Sequence, residues 1–340
     1  MWINGSGVTN LKNWGFYIVK NFMRMMLLLI AVSIVTFALV SISPIDPLQA
    51  NVGQAALGSM SQEQKEKMES YWGVHEPPVE RYLNWAKDFL QGDMGVSLLY
   101  RQPVSSVIAV KLGNSLILML IAWLISGALG FFLGVLSGVY RGGWIDKLVR
   151  GYCLLIASTP VFWLALILLL VFAVYLKILP IGLSVPIGME ASGVTIADRL
   201  QHAILPAMTL SITGVSNIAL HTREKMIDVM ESDYVLFARA RGEKLGAIVV
   251  WHGLRNIIIP AITLQFASIS EIIGGSVLVE QVFSYPGLGQ AAVAAGTGSD
   301  VPLLLGITLA TAAIVFMGNY VANLLYGAVD PRMRKRGKVT

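Results

Sequence analysis

The chain has 340 residues and a formal net charge of +5, and 55% of its residues are hydrophobic while only 13% are charged. Together with a mean hydropathy of +0.68, this composition excludes an ordinary soluble globular protein and predicts an integral membrane protein. The single cysteine, Cys153, excludes an intrachain disulfide and is interpreted as a buried thiol.

Six apolar segments are long enough to cross a membrane, for which a helix needs about 20 consecutive apolar residues. In chain order they are approximately residues 22–42, 115–140, 149–176, 203–219, 257–282 and 302–326. The first segment is too long for a cleaved signal peptide and lacks a small-residue cleavage site, so we interpret it as a retained helix. The predicted fold class is therefore an all-α, polytopic membrane protein with six transmembrane helices.

The distribution of lysine and arginine predicts the orientation of these helices. With both termini in the cytoplasm, 17 of the 25 basic residues lie on the inner side, and most of the others fall in one long outer loop where the positive-inside rule is weak. Residues 1–21 and the basic tail 331–340 are then cytoplasmic. Because the tail directly follows a membrane segment, we interpret its charge as contact with anionic lipid, and no nucleic-acid partner is predicted.

Residues 43–113 are predicted to form a small helical cap on the outer face. Within it, residues 61–67 and 80–90 both have the pattern of amphipathic helices. The second places four apolar residues on one predicted face: Tyr82, Trp85, Phe89 and Leu90. Two interpretations remain open, because these aromatic residues either anchor the cap at the membrane interface or contact a partner.

The transmembrane core, residues 114–330, is interrupted by a polar loop at residues 223–256. This loop is charged and helix-forming, although both flanking segments are apolar. Such a loop is predicted to be a docking surface for a cytoplasmic partner. The alternative is an amphipathic helix that lies on lipid without any partner.

Glu271 is the notable charged residue within the apolar segments. A carboxylate in the middle of a membrane helix costs about 2.5 to 3.5 kcal/mol on insertion scales, so it normally faces the bundle interior or a water-filled path. Small and polar residues share its segment, and Asn114 is a weaker candidate of the same kind; the neighbours are Ser268, Ser270, Gly274, Gly275 and Ser276. Either these positions line a translocation pathway or they pack and hydrogen-bond neighbouring helices.

Two kinds of ligand site are not predicted in this chain. It contains no Gly-x-x-x-x-Gly-Lys-[Ser/Thr] run, so ATP is not bound here by a phosphate loop. Its four histidines are scattered without any pair at metal-ligand spacing, so no metal site is predicted. Any energy source for transport is therefore expected in another subunit.

Seven sequence blocks, in order along nearly the whole chain, carry a family resemblance. They are SPIDP at 43–47, GDMGVS at 92–97 with PV at 103–104, STPVFW at 158–163, ILP at 204–206 with TL at 209–210, the loop 234–242 with LRN at 254–256, GGSVLVE at 274–280 with FSYPGLG at 283–289, and DPR at 330–332. The chain resembles the permease subunits of ATP-binding-cassette importers of the oligopeptide, dipeptide and nickel group. It departs from their pattern at Ile45, where the family usually has glycine, and in the first part of the loop motif, where Ala238 and Gly242 are the clear matches.

The resemblance implies a type I importer permease fold of six transmembrane helices in the plasma membrane of a prokaryote. It also implies that a short helix of the cytoplasmic loop seats in a groove of an ATPase subunit. The residues that would carry this contact are Asp233, Tyr234, Phe237, Ala238, Arg239, Ala240, Arg241, Gly242 and Leu245. In this interpretation the alanines and the glycine allow close approach, the arginines form a charged rim, and Tyr234, Phe237 and Leu245 are apolar anchors.

The partners implied by the resemblance are a second, homologous permease, two ATPase subunits that bind ATP and magnesium, and an extracellular or periplasmic substrate-binding protein. The chain itself is expected to hold no cofactor and to be a transport subunit, not an enzyme. Two alternatives are retained. One is an importer of nickel or a metal chelate, and the other is a proton-coupled secondary transporter that uses Glu271 as a proton relay.

Overall fold

The structure, a computed structural model, describes residues 7–43, 60–71, 77–183 and 195–329. Over these residues the chain is helical almost throughout, and the only extended pairing among them is an isolated bridge between Val96 and Pro103. The predicted all-α fold class is thus confirmed. The chain divides into two compact units, Met1–Val110 with Ala291–Tyr320 and Lys111–Gln290 with Val321–Thr340.

Thirteen α-helices are present among the described residues. In chain order they are α1 (Gly7–Ile42), α2 (Gln62–Tyr71), α3 (Pro78–Leu90), α4 (Val104–Val139), α5 (Trp144–Ala157), α6 (Val161–Leu168), α7 (Ile196–Met230), α8 (Asp233–Ala240), α9 (Leu245–Ile248), α10 (Arg255–Ala267), α11 (Ile269–Val282), α12 (Leu288–Thr297) and α13 (Val301–Val329). Two π-helical segments, Leu169–Tyr175 and Val249–Leu254, continue α6 and α9 without a break.

Among the described residues, five helices are long and apolar enough to cross a membrane, and one bent pair raises the number to six. The five are Val19–Ile42, Val104–Val139, Ala197–Met230, Leu245–Ala267 and Val301–Leu324, and the bent pair is Trp144–Ala157 with Val161–Tyr175. This number agrees with the six predicted helices, and the chain is a multi-pass membrane protein. Several helices extend past the predicted segments, since α1 already begins at Gly7 and α4 at Val104.

The third predicted segment, 149–176, is not one straight helix. It consists of two helices bent by 104°, with Ser158, Thr159 and Pro160 at the corner. Pro160 precedes the first residue of α6, and a proline disfavours helical geometry in the residue before it. The hydroxyls of Ser158 and Thr159 donate to the carbonyls of Leu154 and Leu155, both at 2.8 Å, in the last turn of the ending helix.

The fifth predicted segment, 257–282, is not one continuous helix. The candidate span runs over Leu245–Ala267, and a new helix begins at Ile269 after a break at Ser268. The apolar composition continues across Ser268, so hydropathy alone does not detect this break. The span also includes His252 and Arg255, whose polarity placed them in the loop of the prediction.

Helix α7 is the centre of the second unit. It packs against α5, α6, α10 and α11, and 61% of its most apolar window is buried within the chain, compared with 11% for α1. The aliphatic core around it includes Leu205 and Leu210, which are 0% and 2% exposed. Helix α7 is also less apolar than α1, as expected for a helix that contacts neighbouring helices instead of lipid.

A row of glycines brings α4 into close contact with α7. Gly130, Gly134 and Gly138 are spaced by four residues, and a Cβ atom added at any of them would lie 2.6 to 2.8 Å from an atom of α7. The α7 atoms concerned belong to Ile218, Ala219, Thr222 and Met226. Such distances are shorter than van der Waals contact, so only glycine permits this approach of two membrane helices.

A buried ion pair joins the start of α5 to α7. Asp146 is 1% exposed and accepts two hydrogen bonds from the Arg223 guanidinium, at 2.6 Å from Nε and 2.8 Å from an Nη atom. It also accepts from the hydroxyl of Ser137 at 2.6 Å and from the backbone N–H of Gly142 at 2.8 Å. Because both oxygens of the carboxylate are bonded, the charge is buried without an unsatisfied acceptor.

The first unit contains part of the predicted cap. The predicted helices 61–67 and 80–90 are present as α2 and α3, and the segment between α3 and α4 is held by Asp300, which is 0% exposed. Asp300 accepts from the Ser97 hydroxyl at 2.6 Å and from the backbone N–H groups of Leu99 and Leu303 at 3.1 and 3.2 Å. In α3, Leu90 is 85% exposed, so the prediction that it shares the face of Tyr82, Trp85 and Phe89 is wrong.

Candidate functional site

The predicted docking helix of the polar loop is present as α8, Asp233–Ala240. Its end is shaped by Gly242, whose φ is +83°. The N–H of Gly242 donates to the carbonyl of Arg239 at 2.9 Å, and the N–H of Glu243 donates to that of Ala238 at 3.1 Å. This pair of bonds forms a Schellman motif, which needs glycine at the left-handed position, so Gly242 turns the chain sharply out of α8.

One side of α8 is attached to the rest of the second unit. Val235 and Ala238 are 0% and 2% exposed and pack against Ile248, with Val229 and Met230 beside them. Ala238 is therefore not part of the exposed small-residue surface that the sequence predicted. Its small side chain instead lets α8 pack closely on α9 and the end of α7.

The other side of α8 is exposed and partly apolar. Tyr234, Leu236 and Phe237 are 44%, 67% and 65% exposed, and Leu245 just beyond the turn is 42% exposed. The other predicted positions Asp233, Arg239, Ala240, Arg241 and Gly242 are exposed as well. Leu236 was not among the predicted residues. Its spacing from Tyr234 and Phe237 does not show whether it is exposed or buried, because that depends on where α8 packs.

Basic residues surround this apolar surface. The guanidinium of Arg241 lies 5.9 Å from the centre of the Phe237 ring, which is within the range of a cation–π contact. An apolar patch with a charged rim has the composition of a protein-binding surface. We call Tyr234, Leu236, Phe237, Arg241 and Leu245 the loop surface.

Polar contacts brace the loop surface against the π-helical segment Val249–Leu254. His252 in that segment contacts Glu243 through Nε2 at 3.2 Å, and its ring lies 6.3 Å from that of Tyr234. The amide of Asn256 donates to the Tyr234 hydroxyl at 3.4 Å. Short π-helical segments are frequent at functional sites, and this one lies within the span Leu245–Ala267 that follows α8.

The residues predicted around Glu271 do not share one face. Glu271 is exposed and accepts a hydrogen bond of 3.0 Å from the amide of Asn217 on α7, and Gly274 one turn later is exposed too. Ser268 and Ser276 are instead buried, and their hydroxyls donate to carbonyls of their own helices, at 2.8 and 2.9 Å.

The remaining two predicted positions of this segment lie between these extremes. Gly275 faces Leu210 of α7, because an added Cβ would lie 3.2 Å from its Cδ2, and Ser270 is partly exposed. The accessible part of the predicted set is therefore Glu271 with Gly274, next to Asn217, and the buried part serves helix packing.

Asn114 belongs to a different structure from Glu271. It is 9% exposed and its amide donates to the carbonyl of Pro286 at 3.0 Å, in the turn between α11 and α12. A buried amide that holds a turn has a structural role, which is the second of the two interpretations given for these polar positions.

The same turn is organised by Glu280, for which the sequence predicted no separate role. Glu280 is 0% exposed and accepts from the Ser115 hydroxyl at 2.6 Å and from the N–H groups of Gly289 and Gln290 at 2.7 and 3.0 Å. A Cβ on Gly287 would lie 2.3 Å from the Glu280 carboxyl carbon. The glycines of this block therefore leave room for the buried carboxylate.

Comparison with known proteins adds to these observations. The family described as binding-protein-dependent transport system inner membrane component matches residues 130–335 of this chain. The oligopeptide transport system permease protein AppB of Bacillus subtilis (strain 168) is 34% identical over 320 residues, which cover 93% of this chain and 98% of that protein. The probable peptide ABC transporter permease protein y4tP of Sinorhizobium fredii (strain NBRC 101917 / NGR234) is 30% identical, with 94% and 99% covered.

Both relatives extend over almost the complete described fold, and the family match includes α7, the loop surface and the turn held by Glu280. The chain therefore belongs to the family of inner-membrane components of binding-protein-dependent transport systems.

Proposed function

We propose that this chain is the permease subunit of an ATP-driven importer of oligopeptides or dipeptides. The names of the relatives support a peptide substrate, since one is an oligopeptide transport system permease protein and another a peptide ABC transporter permease protein. The observation that carries the coupling part of the proposal is the exposed apolar face of α8, with Leu236 and Phe237 at 67% and 65% exposure.

In this proposal the loop surface binds a groove of a cytoplasmic ATPase, and the ATPases bind ATP and magnesium. Phe237 is the proposed main anchor, because a large exposed aromatic residue beside an arginine is typical of residues that dominate binding energy. Motion of the ATPase is transmitted to α7 and α9 because Val235 and Ala238 pack directly on them. Two ATPases would serve this permease and a homologous second permease, and together the permeases enclose the pathway.

The accessible polar positions of α11 are the proposed contribution of this chain to the pathway wall. Glu271 is exposed in a largely apolar bundle, where contact with lipid is unfavourable by about 2.5 to 3.5 kcal/mol. A water-filled path or the partner permease therefore faces it. An external binding protein would deliver the peptide, and the distribution of basic residues supports a prokaryotic plasma-membrane location with both termini in the cytoplasm.

The coupling proposal is tested with Phe237→Ala in the reconstituted complex, with Phe132→Ala as the matched control. Phe132 is also a strongly exposed phenylalanine, at 58%, but it lies on α4. We expect Phe237→Ala to weaken ATPase retention about 30-fold, as for an interface anchor worth about 2 kcal/mol, and to reduce ATP-dependent peptide uptake in proteoliposomes. Retention of the ATPase equal to that of the control would refute the assignment of the docking site.

The same uptake assay distinguishes the two alternatives. A nickel-chelate importer would show ATP-dependent uptake of the chelate without competition from peptides. A proton-coupled secondary transporter would take up substrate without any ATPase, driven by a pH gradient, and Glu271→Gln would abolish that uptake. Persistence of uptake in Glu271→Gln, together with a requirement for ATP, supports the importer.

A further inference from the structure

Helix α3 carries an exposed aliphatic stripe in addition to its aromatic face. Val79, Leu83 and Leu90 are 68%, 58% and 85% exposed, and their separations of four and seven residues align them along one side of the helix. The exposed polar residues of α3 occupy the part of the circumference that neither the stripe nor the aromatic face covers: Glu80, Asn84, Lys87 and Asp88. Three large aliphatic side chains in a row are too many for a surface that faces only water.

The aromatic face of α3 is attached to α1. The Tyr82 hydroxyl is hydrogen-bonded to the Ser33 hydroxyl at 2.8 Å, and its ring lies 5.3 Å from that of Phe37. Arg81 donates to the Ser41 hydroxyl at 3.2 Å and lies over the Phe37 ring. Within Val19–Ile42, Ser33 and Phe37 are the two residues that are buried, and Tyr82 contacts both.

These contacts place α3 beside a membrane span. Ser33 and Phe37 lie within Val19–Ile42, nine and five residues before its last residue. Ser33 is therefore about 13 Å along the axis from Ile42. Because the Tyr82 hydroxyl bonds Ser33 at this distance from the helix end, α3 cannot be held away from the membrane.

The aliphatic stripe of α3 is continuous with a lipid-facing surface. The exposed side chains of the same part of α1 are apolar, with Ile34, Leu39 and Ile42 at 49%, 67% and 79% exposure. Since α1 is buried within the chain over only 11% of its apolar window, the rest of that window has the composition of a lipid-facing surface. A helix that is anchored to this surface by its aromatic face presents the adjoining aliphatic stripe to the same lipid.

We propose that α3 is an interfacial anchor that lies in the membrane plane at the Ile42 end of α1, with Val79, Leu83 and Leu90 inserted among the acyl chains of one phospholipid leaflet. In the proposed orientation this is the outer leaflet. Glu80, Asn84, Lys87 and Asp88 then face the headgroups and water, as expected for an interfacial amphipathic helix. This role of α3 does not depend on the transported substrate. It also means that lipid, and not a soluble binding protein, covers the aliphatic stripe.

The test uses neighbouring single-cysteine variants of the full-length permease in its complex, reconstituted in nanodiscs. Leu83→Cys is on the aliphatic stripe and Asn84→Cys on the polar side, and each is labelled with a small environment-sensitive fluorophore. The native Cys153 is 0% exposed, so unlabelled wild type serves as the blank. Phospholipid brominated near the glycerol end of its chains is compared with ordinary phosphatidylcholine.

We expect quenching by brominated lipid to be at least about twofold larger at position 83 than at position 84, because this quenching acts only over contact distances and the two side chains point about 100° apart, one to the aliphatic stripe and one to the polar side. Aqueous iodide should give the reverse order. Val79→Cys and Asp88→Cys, which lie about 180° apart on the helix, repeat the comparison if either first variant fails to assemble. Equal quenching by brominated lipid at both positions, or protection of position 83 from iodide only when the binding protein is added, would overturn the proposal.

Discussion

The glycine row of α4 allows a prediction in which one substitution is compared with an internal control. An alanine Cβ at Gly134 would lie 2.6 Å from the carbonyl oxygen of Ala219 and from the Cβ of Thr222, both on α7. Gly113, on the same helix α4, has no atom within 4 Å of an added Cβ. Gly134→Ala and Gly113→Ala therefore make the same chemical change in crowded and in open surroundings.

The two variants separate packing from helix propensity. Replacing a helical glycine by alanine favours the helix by up to about 1 kcal/mol, and this contribution is common to both variants. At Gly134 the helices must also move apart by roughly 0.8 Å to restore carbon–oxygen contact, and overpacking of this kind costs about 1 to 3 kcal/mol. We expect Gly134→Ala to be less stable than Gly113→Ala by that amount.

The unique cysteine provides the assay. Cys153 is fully buried and packs in a cluster with Val149 and Ala219, so a thiol-reactive dye reaches it only when the chain opens. Purified full-length chain in detergent is heated with the dye, and the midpoint of labelling is compared between variants. The reasoning is refuted if Gly134→Ala labels at the same temperature as Gly113→Ala.

Three further predictions concern buried polar groups. Asp146→Asn should destabilise the chain by about 3 to 5 kcal/mol because it leaves the charge of Arg223 without its carboxylate, and adding Arg223→Met should restore part of the loss in the same dye assay. Asp300→Ala should expose the segment before α4 to limited proteolysis, since it removes the acceptor for the Ser97 hydroxyl and two backbone N–H groups; unchanged cleavage would contradict this role. Burial, followed by the charge of Glu280, raises the pKa of Tyr285 to about 12. The stabilisation that this shift reflects is fully present below the ordinary tyrosine pKa of about 10. It is lost as the pH rises through 12 and the side chain ionises. Absorbance titration of the phenolate should show one tyrosine fewer in this high-pH range for Tyr285→Phe.

The sequence predicted those features that depend on neighbours along the chain. Helix α8 and its end at Gly242 follow from local preferences, since a short helix-forming run ends at the residue that tolerates a positive φ. The aromatic face of α3 was likewise visible as a spacing of three and four residues, although Leu90 departs from it. Periodicity identifies a common side of a helix, but it does not say which helix covers that side.

Features that depend on neighbours across space were not predictable in the same way. Ala238 and Leu236 differ by only two positions on α8, yet one is covered by Ile248 and the other is exposed. In the fifth segment, apolar residues continue through the break at Ser268. Hydropathy did not predict this break, because it measures transfer into lipid and not the direction of the helix axis. For the same reason the sequence did not predict a role for the row Gly130 to Gly138, because that role depends on the close approach of α7.

The length of α7 places the loop surface well outside the hydrocarbon core. Its 35 residues extend about 52 Å, while the hydrocarbon core is about 30 Å thick, so roughly 20 Å of helix remains outside the core. Helix α8 is packed at the far end of this rod, against Val229 and Met230. If α7 tilts as a rigid rod about the membrane centre, a tilt of about 10° carries its end at α8 sideways by roughly 5 Å, close to one helical turn. A displacement of this size at the loop surface would then be matched by a counter-movement of the opposite end of α7.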